Sequence, residues 1–301
     1  MWDLHRLHLL RELQLRGTVS AVAAHLNYSP STVSHQLAQL EREVGCALLE
    51  PDGRRVRLTP HGVAVAEHAA RVMDLEERVR GELGDLATDF EVVRVAALQS
   101  AARELVPRAL TTLATTHPGL RMLVTVVPPE QGLFELEARG FDLAIAEQYP
   151  GHTRRRTAGL ERELLADDPI HLAVPEDDDA VSLADVAGRP WVLEPAGTAA
   201  RTWAEQQCRA AGFEPDVRYE ASDLHVHVNL VGAGHAVGML PALVRAERYA
   251  SVRLLALPGS PHREVFTVAR AASGGSAPVR AVRDALVAAA VWQATERPGG
   301  E

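Results

Sequence analysis

The chain has 301 residues, with 47% hydrophobic and 24% charged residues, a globular balance that excludes wholesale disorder and leaves room for two or three domains. No run approaches the roughly 18 apolar residues of a membrane span. The net charge of −9 speaks against a nucleic-acid partner if taken as a sum, but its distribution matters more. Residues 1–60 hold seven Arg (6, 11, 16, 42, 54, 55, 57) against six acids (3, 12, 41, 43, 50, 52), a balance of +1, so the remainder carries −10. Three of those Arg fall within residues 52–57, and there is no Lys in the chain. Met1-Trp2-Asp3-Leu4-His5-Arg6 lacks the basic-then-apolar layout of a signal peptide, so a cytoplasmic protein is expected. Cys46 and Cys208 stand one in each half and imply no disulfide framework.

Leu4, Leu7, Leu10 and Leu13 recur every three residues and lay an apolar arc on a first helix, which Gly17-Thr18 ends. Ser20 is the expected cap of a short second helix over Ala21–Leu26, and Asn27-Tyr28 makes a turn. Ser29 reads as an N-cap with Pro30 at the first helical position. Val33, Leu37, Leu40 and Val44 then form one helical face, and Gly45 closes the helix. Two short helices around a tight turn, on a support helix, make a helix-turn-helix pattern. The solvent side of the second carries Ser31, Thr32, Ser34, His35, Gln36 and Gln39, none acidic. With Ser29, these side chains suit base edges and phosphates in a major groove. The polar face of an ordinary three-helix bundle has the same composition, so spacing alone leaves both readings open.

The turn Pro51-Asp52-Gly53 joins Leu48-Leu49-Glu50 to Arg54-Arg55-Val56-Arg57-Leu58, an alternation expected of a hairpin with one basic face. Beside a helix-turn-helix such a hairpin is a wing, with Arg54, Arg55 and Arg57 along the phosphate backbone. Thr59-Pro60 opens a long helix to about Leu86, a rod of roughly 40 Å. Val65, Val72, Val79 and Leu86 form a heptad seam, read as a dimerisation face, with packing on the helix's own domain as the other reading. Gly81 and Gly84 mark a hinge.

Beyond it, Glu91–Leu98 is a Val-rich strand, and Ser100 starts a helix through Leu105, Leu110 and Leu113 to His117-Pro118-Gly119. Leu120–Val127 is a strand, Leu133 and Leu136 mark a helix, and Leu143–Ala146 is a third strand. This order implies a mostly parallel sheet with right-handed crossovers. Leu183–Val186, Trp191–Leu193, a helix after Thr198 and a helix over 224–233 repeat the pattern in a second lobe. Ile170–Val174 and Val265–Ala269 are the expected crossings between lobes, returning C-terminal sequence to the first.

Ligands of such sheets bind beyond the carboxyl ends of strands, at helix N-termini. Gln99-Ser100, Thr198 with Arg201, and Ser222-Asp223 occupy such places, and Glu147 at the end of the third strand joins them. Each could instead be a plain helix cap. Free N–H groups there favour a small anionic or polar metabolite. Gly232-Ala233-Gly234 follows a helix rather than a strand, so it is not a dinucleotide loop. His225 and His227 fall on opposite sides of a helix and do not make a joint metal site. With no Gly-x-Ser-x-Gly elbow either, neither metal, cofactor nor enzyme activity is expected.

These residues together resemble the LysR-type transcriptional regulators. Ser29-Pro30-Ser31-Thr32-Val33-Ser34-His35-Gln36-Leu37 and Leu40-Glu41-Arg42-Glu43-Val44-Gly45 resemble that family's recognition helix. Leu48-Leu49-Glu50, Gly53-Arg54-Arg55-Val56-Arg57-Leu58-Thr59-Pro60 and Gly62 resemble its wing and linker start. Gly140-Phe141-Asp142-Leu143-Ala144-Ile145 and the run from Leu230 to Pro241 resemble signatures of its effector domain. Pro51 departs from the basic residue most relatives carry, and His35 from Arg or Gln.

The resemblance implies an α/β chain with an N-terminal winged helix-turn-helix over 1–58 and a linker helix over 59–88. A two-lobed effector domain like periplasmic solute-binding proteins fills 89–301, with lobe I about 89–165 and 266–301 and lobe II about 166–265. It implies a ligand-responsive regulator that binds double-stranded operator DNA as a homodimer or homotetramer, with RNA polymerase a further candidate partner and no membrane. Peroxide-sensing relatives use a cysteine pair in this half, where Cys208 stands alone. The alternative is an α/β solute-binding or enzymatic domain fused to a DNA-binding module.

Overall fold

The computed structural model describes residues 2–53, 55–84, 91–151 and 157–295. The chain divides into two compact units, Met1–Ala87 and Thr88–Glu301.

In the first unit, α1 (Leu4–Arg16) is capped by Asp3, and Gly17 closes it in the left-handed conformation. Helix α2 (Val19–Leu26) starts earlier than expected. Thr18, not Ser20, is its cap: its backbone is extended, and its hydroxyl accepts the N–H of Ala21 at 3.1 Å. Helix α3 (Pro30–Val44) has the expected Ser29 cap and Gly45 end. Leu10, Leu13, Val22, Val33, Leu37 and Leu40 bury against one another as its core. Strands β1 (Leu49–Asp52) and β2 (Arg55–Leu58) form an antiparallel hairpin with Leu49 opposite Leu58.

Helix α4 (Pro60–Gly84) begins under that hairpin. A Cβ at Gly62 would lie 2.1 Å from the Leu48 carbonyl oxygen, so only glycine lets the helix start there. Val65, Ala66 and Ala69 are buried in the same core as α1. The heptad seam is corrected at its first position: Val65 packs inside its own domain, because the two alanines beside it let α1 approach closely. Val72 is half-buried and Val79 exposed. Leu86 lies outside the described residues.

In the second unit, β3 (Glu91–Ala97), β4 (Leu120–Val126) and β5 (Leu143–Gln148) run parallel with β3 in the middle. The single helix expected after β3 is two, α5 (Gln99–Glu104) and α6 (Val106–Thr116), because Pro107 has no N–H to carry the ladder through. Ser100 is therefore not a cap; α5 has none from a side chain. Helix α7 (Pro129–Glu137) leads into β5.

The expectation of a mostly parallel sheet is also corrected. The 16-residue β6 (Leu160–Pro175) runs through both lobes. It pairs antiparallel with β11 (His262–Arg270) over 160–169, then with β9 (Gly238–Pro241) and β10 (Val252–Ala256) over 170–175. Strand β11 also lies antiparallel on β5. The two crossings thus form one continuous ladder, with order β10-β6-β11-β5-β3-β4. Only the β3, β4, β5 set keeps the parallel sense in this sheet.

The second lobe adds β7 (Pro190–Leu193) parallel to β8 (Asp216–Glu220), with α8 (Ala199–Ala210) between them and α9 (Leu224–Gly232) after. Leu183–Val186 is not a strand. The Asp185 carboxylate accepts the N–H groups of Val181 and Ser182 at 3.1 and 2.9 Å, and Ala184–Val186 turns as a short 3₁₀ helix. Trp191, Trp203, Leu172, Cys208 and Met239 build this lobe's core. Helix α10 (Ala277–Thr295) returns to the first lobe, burying Val279, Val282 and Leu286 against Val93, Leu105 and Leu113. Among the described residues no helix is long and apolar enough to cross a membrane.

Candidate functional site

The first unit presents α3 as its candidate DNA face. Ser31, Thr32, Ser34 and His35 are exposed along it. Ser29 is occupied at the helix start: its hydroxyl accepts the N–H of Thr32 at 3.0 Å and meets the Ser31 and Thr32 hydroxyls at 2.8 and 2.7 Å. Gln36 is half-buried, and its carboxamide oxygen accepts the Arg6 guanidinium at 2.9 Å. Arg6 also pairs with Glu43. No sequence pattern singled out Arg6, since its partners stand 30 and 37 residues away. Gln39 is half-buried beside Arg42. On the hairpin, Arg55 and Arg57 are exposed, and Arg57 pairs with Glu50 at 2.9 Å. Arg54 lies outside the described residues.

In the second unit a cleft of about 450 Å³ opens between the lobes. Gln99, Ser100, Glu147, Thr198, Ser222 and Asp223 all line it. Arg201 does not: its guanidinium turns to Glu205, to Glu220 at 3.5 Å and to the Glu194 carbonyl at 3.2 Å. Three residues into the helix after Thr198, that side chain lies among its own acids instead of in the cleft wall. Thr198 is a helix cap as well as a wall residue, its hydroxyl accepting the N–H of Arg201 at 3.2 Å. Asp223 caps α9 through the N–H of His225 at 2.8 Å.

The floor of the cleft is a buried polar network that sequence reasoning missed. Arg263, 1% exposed, enters from β11. It donates to Asp168 at 2.8 Å, to the Ser100 hydroxyl at 2.8 Å, and to Glu147. Asp168 also accepts the N–H of Leu243 at 2.9 Å. Burial alone would lower the Arg263 pKa, but Glu147 and Asp168 more than offset it and the group stays firmly charged. Arg263 stands 95 residues from Asp168 and 116 from Glu147, so only the register of β6, β11 and β5 brings them together.

Glu194 and Glu130 were missed too, and both line the cleft. Glu194 follows the last residue of β7 and Glu147 precedes the last residue of β5, so the end-of-strand rule that selected one could have selected the other. Burial pushes the Glu194 carboxyl up to about 8, with Glu147 adding to the rise. At Asp223 burial pulls upward, but the N–H of His225 and the Gln99 side chain outweigh it and hold the carboxyl low. The N-terminal donors that made an anion attractive are thus partly taken, and the lining favours the polar over the anionic part of the expectation.

His227 is buried with Nε2 donating to the Ala221 carbonyl at 2.7 Å, and burial lowers its pKa. It shares no metal site with His225; among the described residues no His, Cys, Asp and Glu cluster has metal-binding geometry.

Residues 89–291 match the family model described as the LysR substrate binding domain, and residues 4–63 match that of the bacterial regulatory helix-turn-helix protein, lysR family. The chain is 29% identical over 256 residues to the transcriptional dual regulator GltC of Bacillus subtilis (strain 168), covering 81% of this chain and 82% of that protein. It is 28% identical over 261 residues to the DNA-binding transcriptional dual regulator OxyR of Escherichia coli (strain K12), covering 79% and 84%. Among solved structures, a full-length OxyR variant from Pseudomonas aeruginosa shares the fold with a TM-score of 0.67 at 20% identity, covering 95% of both chains. CbnR, solved with its target DNA, shares it with a TM-score of 0.54 at 22% identity, covering 96% of this chain and 99% of that one.

Proposed function

Because the chain belongs to the LysR family of bacterial regulatory helix-turn-helix proteins, we propose a division of roles along it. The chain is a ligand-responsive, DNA-binding transcriptional regulator, not an enzyme. Residues 1–58 bind operator DNA, with α3 in the major groove. Ser34, His35 and Gln36 read base edges, Ser29, Ser31, Thr32 and Gln39 stand nearer the phosphates, and Arg54, Arg55 and Arg57 follow the backbone. Residues 59–88 form the linker, and its seam positions Val72, half-buried, and Val79, exposed, pair two chains. The assembly is a homodimer or homotetramer in the cytoplasm, with RNA polymerase a further partner.

Residues 89–301 hold a small polar metabolite between lobe I, about 89–165 and 266–301, and lobe II, about 166–265. The change of ladder partner along β6 near Ile170 supports a boundary in this region. One observation carries the effector reading: six side chains from three helix starts and one strand end converge on one cleft. A peroxide-type thiol switch is not proposed, since Cys208 is buried and its thiol is pushed up to about 12. A gel shift on the DNA upstream of the chain's own gene tests the reading. Retarded DNA supports it, and turnover of a small molecule without DNA binding would sink it.

A further inference from the structure

The charge in the cleft runs against the helix N-termini around it. Four carboxyl groups line the wall, Glu130 and Glu147 from the first lobe and Glu194 and Asp223 from the second, against the single guanidinium of Arg263. Arg263 is committed already, to Glu147, Asp168 and Ser100. Thr198 and Asp223 cap α8 and α9 themselves, and Gln99 takes the N–H of Leu224 at 3.2 Å. An incoming carboxylate would therefore add a fifth acid to a wall with no free cation among the described residues.

Glu194 is the group left without a counterpart. Among the described residues none gives its carboxyl a hydrogen bond or an ion pair. It faces Glu147, Glu130 and Arg263, with Tyr149 and His227 beside it. The rest of the wall is apolar, including Leu98, Val127, Pro128, Pro195 and Ala200. We propose that the effector carries a protonated amine seated against Glu194 and its neighbouring acids, with a compact apolar body along the proline and alanine wall. This rests on the reading of the cleft as the effector site.

Like-charged carboxyls in a poorly solvated cleft repel one another, and a bound cation relieves that repulsion. Burial and Glu147 hold the Glu194 proton on up to about pH 8. An ammonium ion favours the ionised carboxylate, so it displaces that proton, and amine binding tightens as pH rises toward that value. Burial raises the Tyr149 pKa and lowers that of His227, so both stay neutral through this window.

The test is calorimetric titration of the full chain with benzylamine, benzoate and benzyl alcohol, which share one ring and differ in charge. Benzylamine is expected to bind about tenfold more tightly than benzoate. Its affinity should rise about tenfold between pH 6.5 and 8, and Glu194→Gln should weaken it and flatten that rise. Undetectable benzylamine binding, or benzoate binding as tight as benzylamine, overturns the proposal, as does an unchanged pH profile in Glu194→Gln. Ala200→Trp and Pro128→Trp, which fill the cleft from opposite walls, separate the two readings. If benzoate or benzyl alcohol binds at least as tightly as benzylamine and either variant abolishes it, the cleft stands and only the amine falls. If a bound probe ignores both variants, the effector cleft falls with it.

Discussion

The side-chain oxygen of Gln99, at the head of α5, accepts the N–H of Leu224, at the head of α9, at 3.2 Å across the mouth of the cleft. One residue belongs to the first lobe and the other to the second, so this bond ties the two walls together. It also satisfies a helix-start donor that would otherwise need water or ligand. Arg103 and Tyr249 meet at 3.4 Å, a second and longer link between the same lobes.

Gln99→Ala should free the first turn of α9. Loss of one such bond costs about 1 kcal/mol, so amide exchange at Leu224 should quicken by roughly fivefold if local opening controls it. Native-state hydrogen exchange reads this directly. Unchanged protection at Leu224, with Gln99 removed, would mean that the bond does not hold the lobes.

The Arg263 network should matter more to stability than any single cleft bond. Arg263→Met leaves Glu147 and Asp168 buried without that cation, a change expected to cost about 3–5 kcal/mol. Ser100→Ala removes only one hydroxyl acceptor and should cost about 1–2 kcal/mol. Urea unfolding at one pH and salt ranks them. Equal midpoints for the two variants would contradict the network as drawn.

Much of this architecture was legible because it is local. The caps at Ser29, Thr198 and Asp223, the alternation over Arg55–Leu58 and the βαβ periodicity from Glu91 to Gln148 each depend on residues within a few positions. The failures share the opposite property. The sense of β6 and β11, the pairing of Arg263 with Glu147 and Asp168, and the capture of Gln36 by Arg6 all depend on strand register or helix packing between distant segments. Val65 shows the same limit within one helix: a heptad seam and a domain core use the same spacing, and only the position of α1 decides which face is buried. The acidity of the cleft was illegible for the same reason, because its four acids come from three strands or loops and one helix.

Glu194 should leave a signature in the pH dependence of stability. Its pKa rises from 4.5 unfolded to about 8 folded. The folded chain then binds a proton that the unfolded chain has lost, so this group's contribution falls as pH climbs between those values. Glu194→Gln stays neutral and escapes that loss. Thermal melts should show little difference near pH 5 and a higher melting temperature for the variant near pH 9. Parallel curves for the two proteins would place Glu194 in water rather than in the wall.

The wing makes a sharper demand, because its two described arginines are not equivalent. Among the described residues Arg55 has no ion-pair partner, whereas Arg57 is held by Glu50 at 2.9 Å. If both meet phosphates, Arg55→Ala should lower the salt slope of DNA binding by about one unit, on operator and unrelated DNA alike. Arg57 must first leave Glu50, so Arg57→Ala should cost less affinity than Arg55→Ala. The exposed pair is itself worth only about 0–1 kcal/mol, so Glu50→Gln should cost the fold little. It should nevertheless strengthen binding to any duplex, by freeing Arg57 and by removing a negative charge beside the phosphates. Gel shifts over a salt series separate these effects. An unchanged slope in Arg55→Ala would put the hairpin away from the backbone. Weaker binding in Glu50→Gln would instead mean that the ion pair is what aims Arg57 at its phosphate.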